Sequence, residues 1–306
     1  GAGWVTAVHG LAASSLDDLP IVHVASRTTK SAKRRAEQVG AVPCKYDELP
    51  GGADGVLVAT PPRLHLREAQ RAIDGGSAVL VEAPISTTLA AADDLVALAD
   101  GGALIAYGEN LVHSPGVAEA VRVVRGMGTV TFLEVRLAQG RPDRRSHLAS
   151  GWGGGALFDL GSHAIALALL LAAPARVVEV EAKATSAEDL VVDEDATVTL
   201  TFDTGLRAQV RATWRAAAPV WDAQAASKDG AVRLELVPDP TVEVNGVALR
   251  LPPAPPRLVS PQLHHLGYVA QLETFAADME ADPHYYARKP ADFSDWGWFL
   301  RRNHAG

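Results

Sequence analysis

The N-terminal third of the chain alternates short apolar runs with alanine-rich stretches of helical character, and this alternation constrains the fold more than any other feature. The apolar runs predict strands at Ile21–Ser26, Gly55–Thr60, Ala78–Glu82 and Ala103–Tyr107. The intervening stretches predict helices at about Trp4–Ser14, Lys30–Val39, Arg63–Asp74 and Leu89–Ala99. Strands that alternate with helices form βαβ units and a parallel sheet. Residues 1–112 are therefore predicted to form one α/β domain.

A different pattern begins at Pro115. Helices are predicted at about Pro115–Arg125 and, with a more apolar sequence, at about Gly155–Ala172. The sequence Asp203-Thr204-Gly205 predicts a hairpin turn after a strand at Ala196–Phe202. The proline-rich stretch Leu251–Arg257 is expected to be an extended linker.

The strand after this turn has one apolar and one polar face. The apolar positions are Leu206, Ala208, Val210, Ala212 and Trp214. The polar positions between them are Arg207, Gln209, Arg211, Thr213 and Arg215. Strict alternation is typical of an antiparallel sheet with one buried face, which the apolar helix at Gly155–Ala172 can cover. Residues 113–306 are therefore predicted to form an α+β domain with a mainly antiparallel sheet.

Charge and cysteine content argue against several classes of protein. The net charge is -8 and no basic block is present, so a nucleic-acid partner is not expected. No apolar run reaches the roughly 18 residues of a membrane span, so a membrane partner is not expected either. The single cysteine, Cys44, excludes an internal disulfide and is typical of a reducing compartment. We therefore expect a cytoplasmic protein.

The first residues resemble a phosphate-binding turn. Gly1 and Gly3 would let the backbone approach a diphosphate, and Trp4 and Val5 would begin a helix whose free amides attract negative charge. The signal is incomplete, because the third glycine of the fingerprint falls at Thr6 and the preceding strand is not part of the 306 residues. A plain turn is the alternative interpretation.

The end of the predicted strand Ile21–Ser26 bears on the choice of cofactor. An acidic residue there would bind the adenosine ribose, but this chain has Ser26, Arg27 and Thr28. Two hydroxyls and a guanidinium suit a 2′-phosphate, so we predict NADP(H) in preference to NAD(H). The alternative is that Arg27 is merely solvated.

Three motifs resemble those of the Gfo/Idh/MocA oxidoreductase family: "ATPPRLH" at Ala59–His65, "VEAP" at Val81–Pro84 and "GGGALFDLGSH" at Gly153–His163. The similarity runs from Gly1 to at least Gly230. It implies an N-terminal Rossmann domain, a second domain with an open sheet, and a nicotinamide cofactor in the cleft between them. It also implies hydride transfer to or from a carbon of a small molecule such as a sugar or cyclitol, and a homodimer or homotetramer.

The resemblance implies roles for particular residues. Those expected at the cofactor are Thr60, Pro61, Pro62, His65, Glu82, Ala83 and Trp152, together with the glycines and the Ser-Arg-Thr segment above. Asp159 and His163 are expected to be the catalytic acid-base pair, and no metal is expected. The residues support this in part, because four-residue spacing places both side chains on one face of an otherwise apolar helix. A capping aspartate and a satisfied core histidine are the alternative.

Ala83 occupies the position at which the family carries a lysine that contacts both nicotinamide and substrate. Alanine has no proton to donate, and no other lysine of the chain is an obvious substitute. Three hypotheses remain open. In the first, His163 with Asp159 supplies the proton for reduction of a ketone, imine or similar group. In the second, the chain binds cofactor and ligand without turnover and acts as a sensor or scaffold. The third is a sugar or cyclitol dehydrogenase inactivated at Ala83, or a reaction other than simple hydride transfer.

The loop Gln139–Gly151 is the other candidate for substrate contacts. Its arginines, Arg141, Arg144 and Arg145, could meet an anionic group, although a solvated loop is the alternative interpretation.

Overall fold

The predicted alternation of strands and helices is present in a computed structural model, which describes residues 1–17, 19–49, 53–143, 147–258 and 260–281. The helices are α1 (Trp4–Ala13), α2 (Thr29–Val39), α3 (His65–Asp74), α4 (Leu89–Asp100), α5 (Pro115–Gly126), α6 (Ser162–Ala172), α7 (Pro261–His265) and α8 (Tyr268–Ala281). The strands before α5 are β1 (His23–Ala25), β2 (Val42–Cys44), β3 (Gly55–Val58), β4 (Ala78–Glu82) and β5 (Ile105–Gly108). Those after α5 are β6 (Phe132–Gly140), β7 (Val177–Thr185), β8 (Asp195–Phe202), β9 (Arg207–Thr213), β10 (Arg215–Ser227), β11 (Gly230–Val237), β12 (Thr241–Val244) and β13 (Val247–Ala248).

The chain divides into two units. The first contains Gly1–Gly108, Ala254–His264 and the described residues from Tyr268 to Ala281, and the second contains Glu109–Pro253 and His265–Gly267. The first division lies between Gly108 and Glu109, where the sequence analysis placed it after residue 112. Residues 113–306 were predicted to form one domain, whereas α8 lies in the first unit.

The first unit has parallel pairing throughout its described strands. β1 pairs with β2, and β3, β4 and β5 form a second group with β4 in the middle. β2, which the sequence did not predict, has only three residues and includes Pro43. Helix α2 begins after Thr28, whose hydroxyl accepts the Ser31 N–H, and α4 begins in the same way after Thr88.

A hydrophobic core explains why α8 belongs to this unit. Val269, Leu272 and Phe275 of α8 are buried in one cluster with Val8 of α1 and Leu80 of β4. A parallel sheet is apolar on both faces and must be covered on both. The C-terminal helix therefore completes a cover that α1 alone does not provide.

The second unit is built on one sheet, in the order β13-β12-β11-β10-β6-β9-β8-β7. Its neighbours are antiparallel except for β6 and β9, which run parallel. The predicted alternation along β9 is confirmed, since Leu206, Ala208, Val210, Ala212 and Trp214 are all buried. Thr213 departs from the pattern, because it was assigned to the polar face and is also buried.

Helix α6 covers the apolar face of this sheet. Ile165, Ala166 and Leu167 have no exposed surface. The helical stretch Ser150–Ala172, with a mean hydropathy of 1.7, is long and apolar enough to cross a membrane, but 61% of its most apolar part is buried inside the protein. The core helix of a soluble protein meets the same criterion, and this stretch contacts β6 and β9.

Two substitutions on β8 test which face of the sheet is buried. Leu200 has no exposed surface, whereas Thr199 is half-buried and points to the opposite face. We expect Leu200→Ala to lower the free energy of unfolding by about 2–5 kcal/mol, because it leaves a cavity in the core. Thr199→Ala should cost about 1 kcal/mol or less. Urea denaturation measures both values, and equal losses would contradict the assignment of faces.

Candidate active site

The two glycines before α1 have different surroundings. A Cβ on Gly1 would lie 1.9 Å from the carbonyl oxygen of Ala59, so the backbone approaches too closely there for a side chain. Gly3 precedes α1, provides no side-chain cap, and a Cβ on it would meet nothing within 4 Å. The space beside Gly3, at the N-terminus of α1, is therefore open, and a helix N-terminus attracts anionic groups. Trp4, the first helical residue, is exposed, and Val5 is half-buried.

The three residues of the Ser26-Arg27-Thr28 segment have different surroundings. Ser26 is buried, and its N–H donates to the Cys44 carbonyl at 3.2 Å. The Thr28 hydroxyl is occupied as the cap of α2. Arg27 is exposed, and no ion pair joins it to another described residue. Arg27 is therefore the member of this segment best able to meet a phosphate.

His65 was expected at the cofactor, but its side chain is buried. Its Nε2 lies 2.9 Å from the Thr60 carbonyl and its Nδ1 lies 3.1 Å from the Ile85 carbonyl. Burial lowers the pKa of His65, so the neutral ring carries one N–H and can donate to only one of the two carbonyls at a time. His65 thus connects the half-buried loop that contains Thr60, Pro61 and Pro62 to the turn after β4, and it does not line an open surface.

The turn after β4 is held by its glutamate. Glu82 is buried, with one carboxylate oxygen in contact with His9 Nε2 and the other accepting the Ala83 N–H at 3.1 Å. The His9 ring lies edge-on to Tyr268, with ring centroids 5.4 Å apart. Sequence reasoning gave His9 no role. Ala83 itself is half-buried and carries no polar group.

In the second unit, the glycine-rich segment before α6 is closely packed. Trp152 ends a 3-10 turn at Ser150–Trp152 and is half-buried. Gly155 has φ +113, and a Cβ on it would lie 2.2 Å from Asp193 Oδ1. Asp193 accepts the Leu157 N–H at 2.7 Å, and burial raises the pKa of this carboxyl. Glycine is required because the carboxylate that caps the helical start occupies the space of a side chain.

Asp159 lies in a π-helical turn, Leu157–Gly161, directly before α6. Its Oδ2 accepts a hydrogen bond from Trp214 Nε1 at 3.0 Å and another from Gln139 Nε2 at 3.3 Å. His147 Nε2 lies 3.7 Å from its other oxygen. Asp159 is therefore oriented by neighbours from β6, from the residue after β9, and from the loop that contains His147.

His163 has a carboxylate partner, which is Glu109. His163 Nδ1 lies 2.7 and 2.8 Å from the two oxygens of Glu109, whose side chain is 1% exposed. The Trp221 ring is stacked on His163 with centroids 6.4 Å apart and an interplanar angle of 22°. The site thus contains two histidine-carboxylate pairs, His163 with Glu109 and His147 with Asp159, where the sequence predicted Asp159 with His163.

The arginines of the loop after β6 do not provide a common anion site in the described residues. Arg141 donates to Glu194 at 2.5 and 3.0 Å and to Asp189 at 2.7 Å, and its guanidinium holds the pKa of Glu194 below its usual range. The charge of Arg141 is therefore already matched within the unit. Arg144 and Arg145 lie outside the described residues.

The two units define a class of protein, in which a Rossmann-type nucleotide-binding unit accompanies an open, mainly antiparallel sheet. A family model described as "Oxidoreductase family, NAD-binding Rossmann fold" matches residues 1–107, and one described as "GFO/IDH/MocA C-terminal domain" matches residues 122–246. The chain belongs to the Gfo/Idh/MocA oxidoreductase family, as its motifs predicted.

Two curated relatives are sugar reductases. The chain is 29% identical over 204 residues to the dTDP-3,4-didehydro-2,6-dideoxy-alpha-D-glucose 3-reductase of Actinomadura kijaniata, covering 64% of this chain and 61% of the relative. It is 31% identical over 166 residues to the enzyme of the same name from Streptomyces antibioticus, covering 51% of this chain and 50% of the relative. The matched part of the chain thus spans about half to three fifths of these relatives' length.

A solved structure shares the fold. GenD2 from gentamicin A biosynthesis, in complex with NAD, superposes with a TM-score of 0.83 over 98% of this chain and 90% of that protein, at 23% identity. At this level of identity the likeness concerns the fold.

Gly155 offers a test of how the start of α6 is held. We expect Gly155→Ala to lower the free energy of unfolding by about 1–3 kcal/mol, because the new Cβ meets both an unfavourable φ and the Asp193 carboxylate. Gly151→Ala is the matched control, since a Cβ there meets nothing within 4 Å. Urea denaturation gives both values. If the two variants were equally stable, Asp193 would not occupy the space beside residue 155.

Proposed function

We propose that this protein is an NADP(H)-dependent oxidoreductase that transfers hydride between the nicotinamide and a ketone, imine or polyol-type carbon of a small molecule. The observation that carries the proposal is the contact of His163 with the buried Glu109, beside the separately oriented Asp159. A histidine in contact with a carboxylate can hold and release a proton near neutral pH. Family membership supports the redox class of the reaction.

The cofactor fits the first unit. Gly3 leaves the amides of α1 open to a diphosphate, and the exposed Arg27 suits a 2′-phosphate. A bound nicotinamide supplies the hydride. The preference for NADP(H) rests on Arg27 and on the absence of an acidic side chain from Ser26, Arg27 and Thr28.

Reduction of a carbonyl adds one hydride and one proton, so the reaction needs a proton donor beside the nicotinamide. Ala83 has no proton to give. We assign the proton to His163 Nε2, on the opposite edge of the ring from Glu109. Asp159, whose Oδ2 is fixed by Trp214 and Gln139, accepts a hydrogen bond from a substrate hydroxyl and orients it.

The substrate class follows from the same chemistry. Without the lysine, a ketone next to other electron-withdrawing groups is easier to reduce than a plain alcohol is to oxidise. The names of the two curated relatives, reductases of a didehydro sugar, support a keto sugar as the first class to test. We therefore propose reduction as the working direction.

Ala83 also favours a second candidate function, that of a ligand-binding relative without turnover. Loss of a general acid typically costs a factor of about 10²–10⁴ in rate. A chain that kept its cofactor site and lost turnover would act as a sensor or scaffold. Catalytic measurement separates the two functions.

Replacement of Arg27 tests the preference for NADP(H) over NAD(H). We expect Arg27→Asp to weaken binding of NADPH by about tenfold to a hundredfold and to leave NADH binding nearly unchanged, because the guanidinium meets only the 2′-phosphate. Fluorescence titration of each dinucleotide measures the dissociation constants. Arg34→Asp, an exposed position further along α2 with the same change of charge, is the control. Equal weakening of NADPH and NADH would refute the NADP(H) preference.

Replacement of His163 tests the reaction. The unmodified protein should oxidise NADPH in the presence of some member of a panel of keto sugars, other ketones and imines. We expect His163→Asn to reduce kcat by about 10²–10⁴ while NADPH still binds. The decrease in absorbance of NADPH measures turnover.

The variant Ala83→Lys separates the remaining hypotheses. No turnover by the unmodified chain, with a large gain in Ala83→Lys, would indicate a dehydrogenase disabled at this position. No turnover by either, with NADPH bound by both, would favour the sensor or scaffold. Failure of both to bind NADPH would refute the proposed function.

A further inference from the structure

We propose that Glu109 is the positioning residue for His163: it fixes which ring nitrogen carries the permanent proton and keeps the ring in its protonated form at higher pH. The proposal rests on the proposed function, because it assigns the source of the proton for that reaction. It adds a residue that the sequence motif did not contain, 54 positions away from His163 along the chain.

Burial makes the contact strong. The Glu109 side chain is 1% exposed and that of His163 is 17% exposed, so little water screens the pair. Glu109 begins the 3-10 turn Asn110–His113, and its Oε1 accepts the Leu111 N–H at 3.2 Å. The carboxylate is therefore fixed by the backbone on one side and meets the histidine on the other.

The geometry selects one tautomer. An ionised carboxylate can only accept hydrogen bonds, so Nδ1, which faces both its oxygens, must carry a hydrogen. The proton that is exchanged during reaction then belongs to Nε2. Stacking of Trp221 on the imidazole restrains rotation of the ring about this contact.

The charge of Glu109 also favours the imidazolium. A carboxylate in contact with histidine stabilises the protonated ring and so raises its pKa relative to the same ring without the carboxylate. A proton donor is active while protonated, so activity should fall as pH rises through this pKa. Removal of the charge should move that decline to lower pH.

Asp159 is not a substitute for Glu109. Its Oδ2 is engaged by Trp214 and Gln139, and the histidine that approaches its Oδ1 is His147. Asp159→Asn should therefore perturb the titration of His163 much less than Glu109→Gln, although both carboxylates belong to the same unit.

The test uses the protein without cofactor as well as its catalysis. NMR titration of the histidine Cε1–H signals, with His163→Asn to assign the signal of His163, measures the midpoint directly. We expect Glu109→Gln to lower this midpoint by about one to two pH units, since glutamine still accepts the Nδ1 hydrogen but carries no charge. In the catalytic assay, kcat should fall by about tenfold to a hundredfold with a smaller change in KM, and the pH profile should shift in the acidic direction.

Two further variants make the result interpretable. Glu119→Gln makes the same substitution at a site on α5 paired with Arg122, and it should leave the His163 midpoint and the activity unchanged. Glu109→Asp keeps the charge and should retain most of the elevated midpoint. If Glu109→Gln does not fold, Glu109→Met takes its place, because it also removes the charge at similar size and should lower the midpoint in the same direction.

The outcomes distinguish this proposal from the proposed function. An unchanged His163 midpoint in a folded Glu109→Gln protein, or a shift as large in Asp159→Asn, would overturn the positioning role. A lowered midpoint in a protein that shows no NADPH turnover would support the positioning role and count against the proposed function instead.

Discussion

The apolar face of the eight-stranded sheet must be covered, and the site in the second unit depends on how helix α6 covers it. Leu137 of β6, Leu200 of β8 and Val210 of β9 are all fully or almost fully buried on that face. Burial of one such aliphatic side chain contributes about 1.5–3 kcal/mol, so the position of α6 is strongly determined. Asp159 and His163 lie at the start of this helix, and their orientation follows from packing on rigid elements.

Burial of polar groups then selects the hydrogen-bond partners in the site. A carboxylate removed from water is costly unless it is paired, so Glu109 and Asp159 each need donors. Trp214 supplies one to Asp159 because it ends the buried face of β9, and Gln139 supplies another from β6. Glu109 finds its donor in His163. The result is a site with two separately held carboxylates and two histidines, in which donor and acceptor roles can be divided.

The sequence predicted the fold well where a pattern repeats. Alternation along β9 correctly identified its buried face. The helix predicted at about Gly155–Ala172 is present as the π-helical turn Leu157–Gly161 followed by α6. Short elements and contacts between distant parts of the chain were not predicted. β2 has three residues and no alternation to detect, and α8 was assigned to the wrong unit because its apolar residues do not reveal which core they join.

The partner of His163 could not be read from the motif for a physical reason. Four-residue spacing indicates only that Asp159 and His163 share one face of the helix, and it carries no information on which residues from other parts of the chain approach that face. Glu109 follows β5 in a different part of the chain, and its burial depends on the tertiary structure. The only local signal was an acidic residue directly after a strand, which is not specific enough to assign a role.

The turn that contains Ala83 is held without any contribution from the side chain at position 83. Glu82 fixes this turn by accepting the Ala83 N–H and by contacting His9, and neither contact involves the side chain at position 83. The backbone N–H is common to alanine and lysine, so the turn can be held in the same way with either residue. What alanine removes is a transferable proton and a positive charge. Under the proposed function, the reaction must therefore proceed without that charge and with another proton donor, and His163 in contact with Glu109 is the donor we propose.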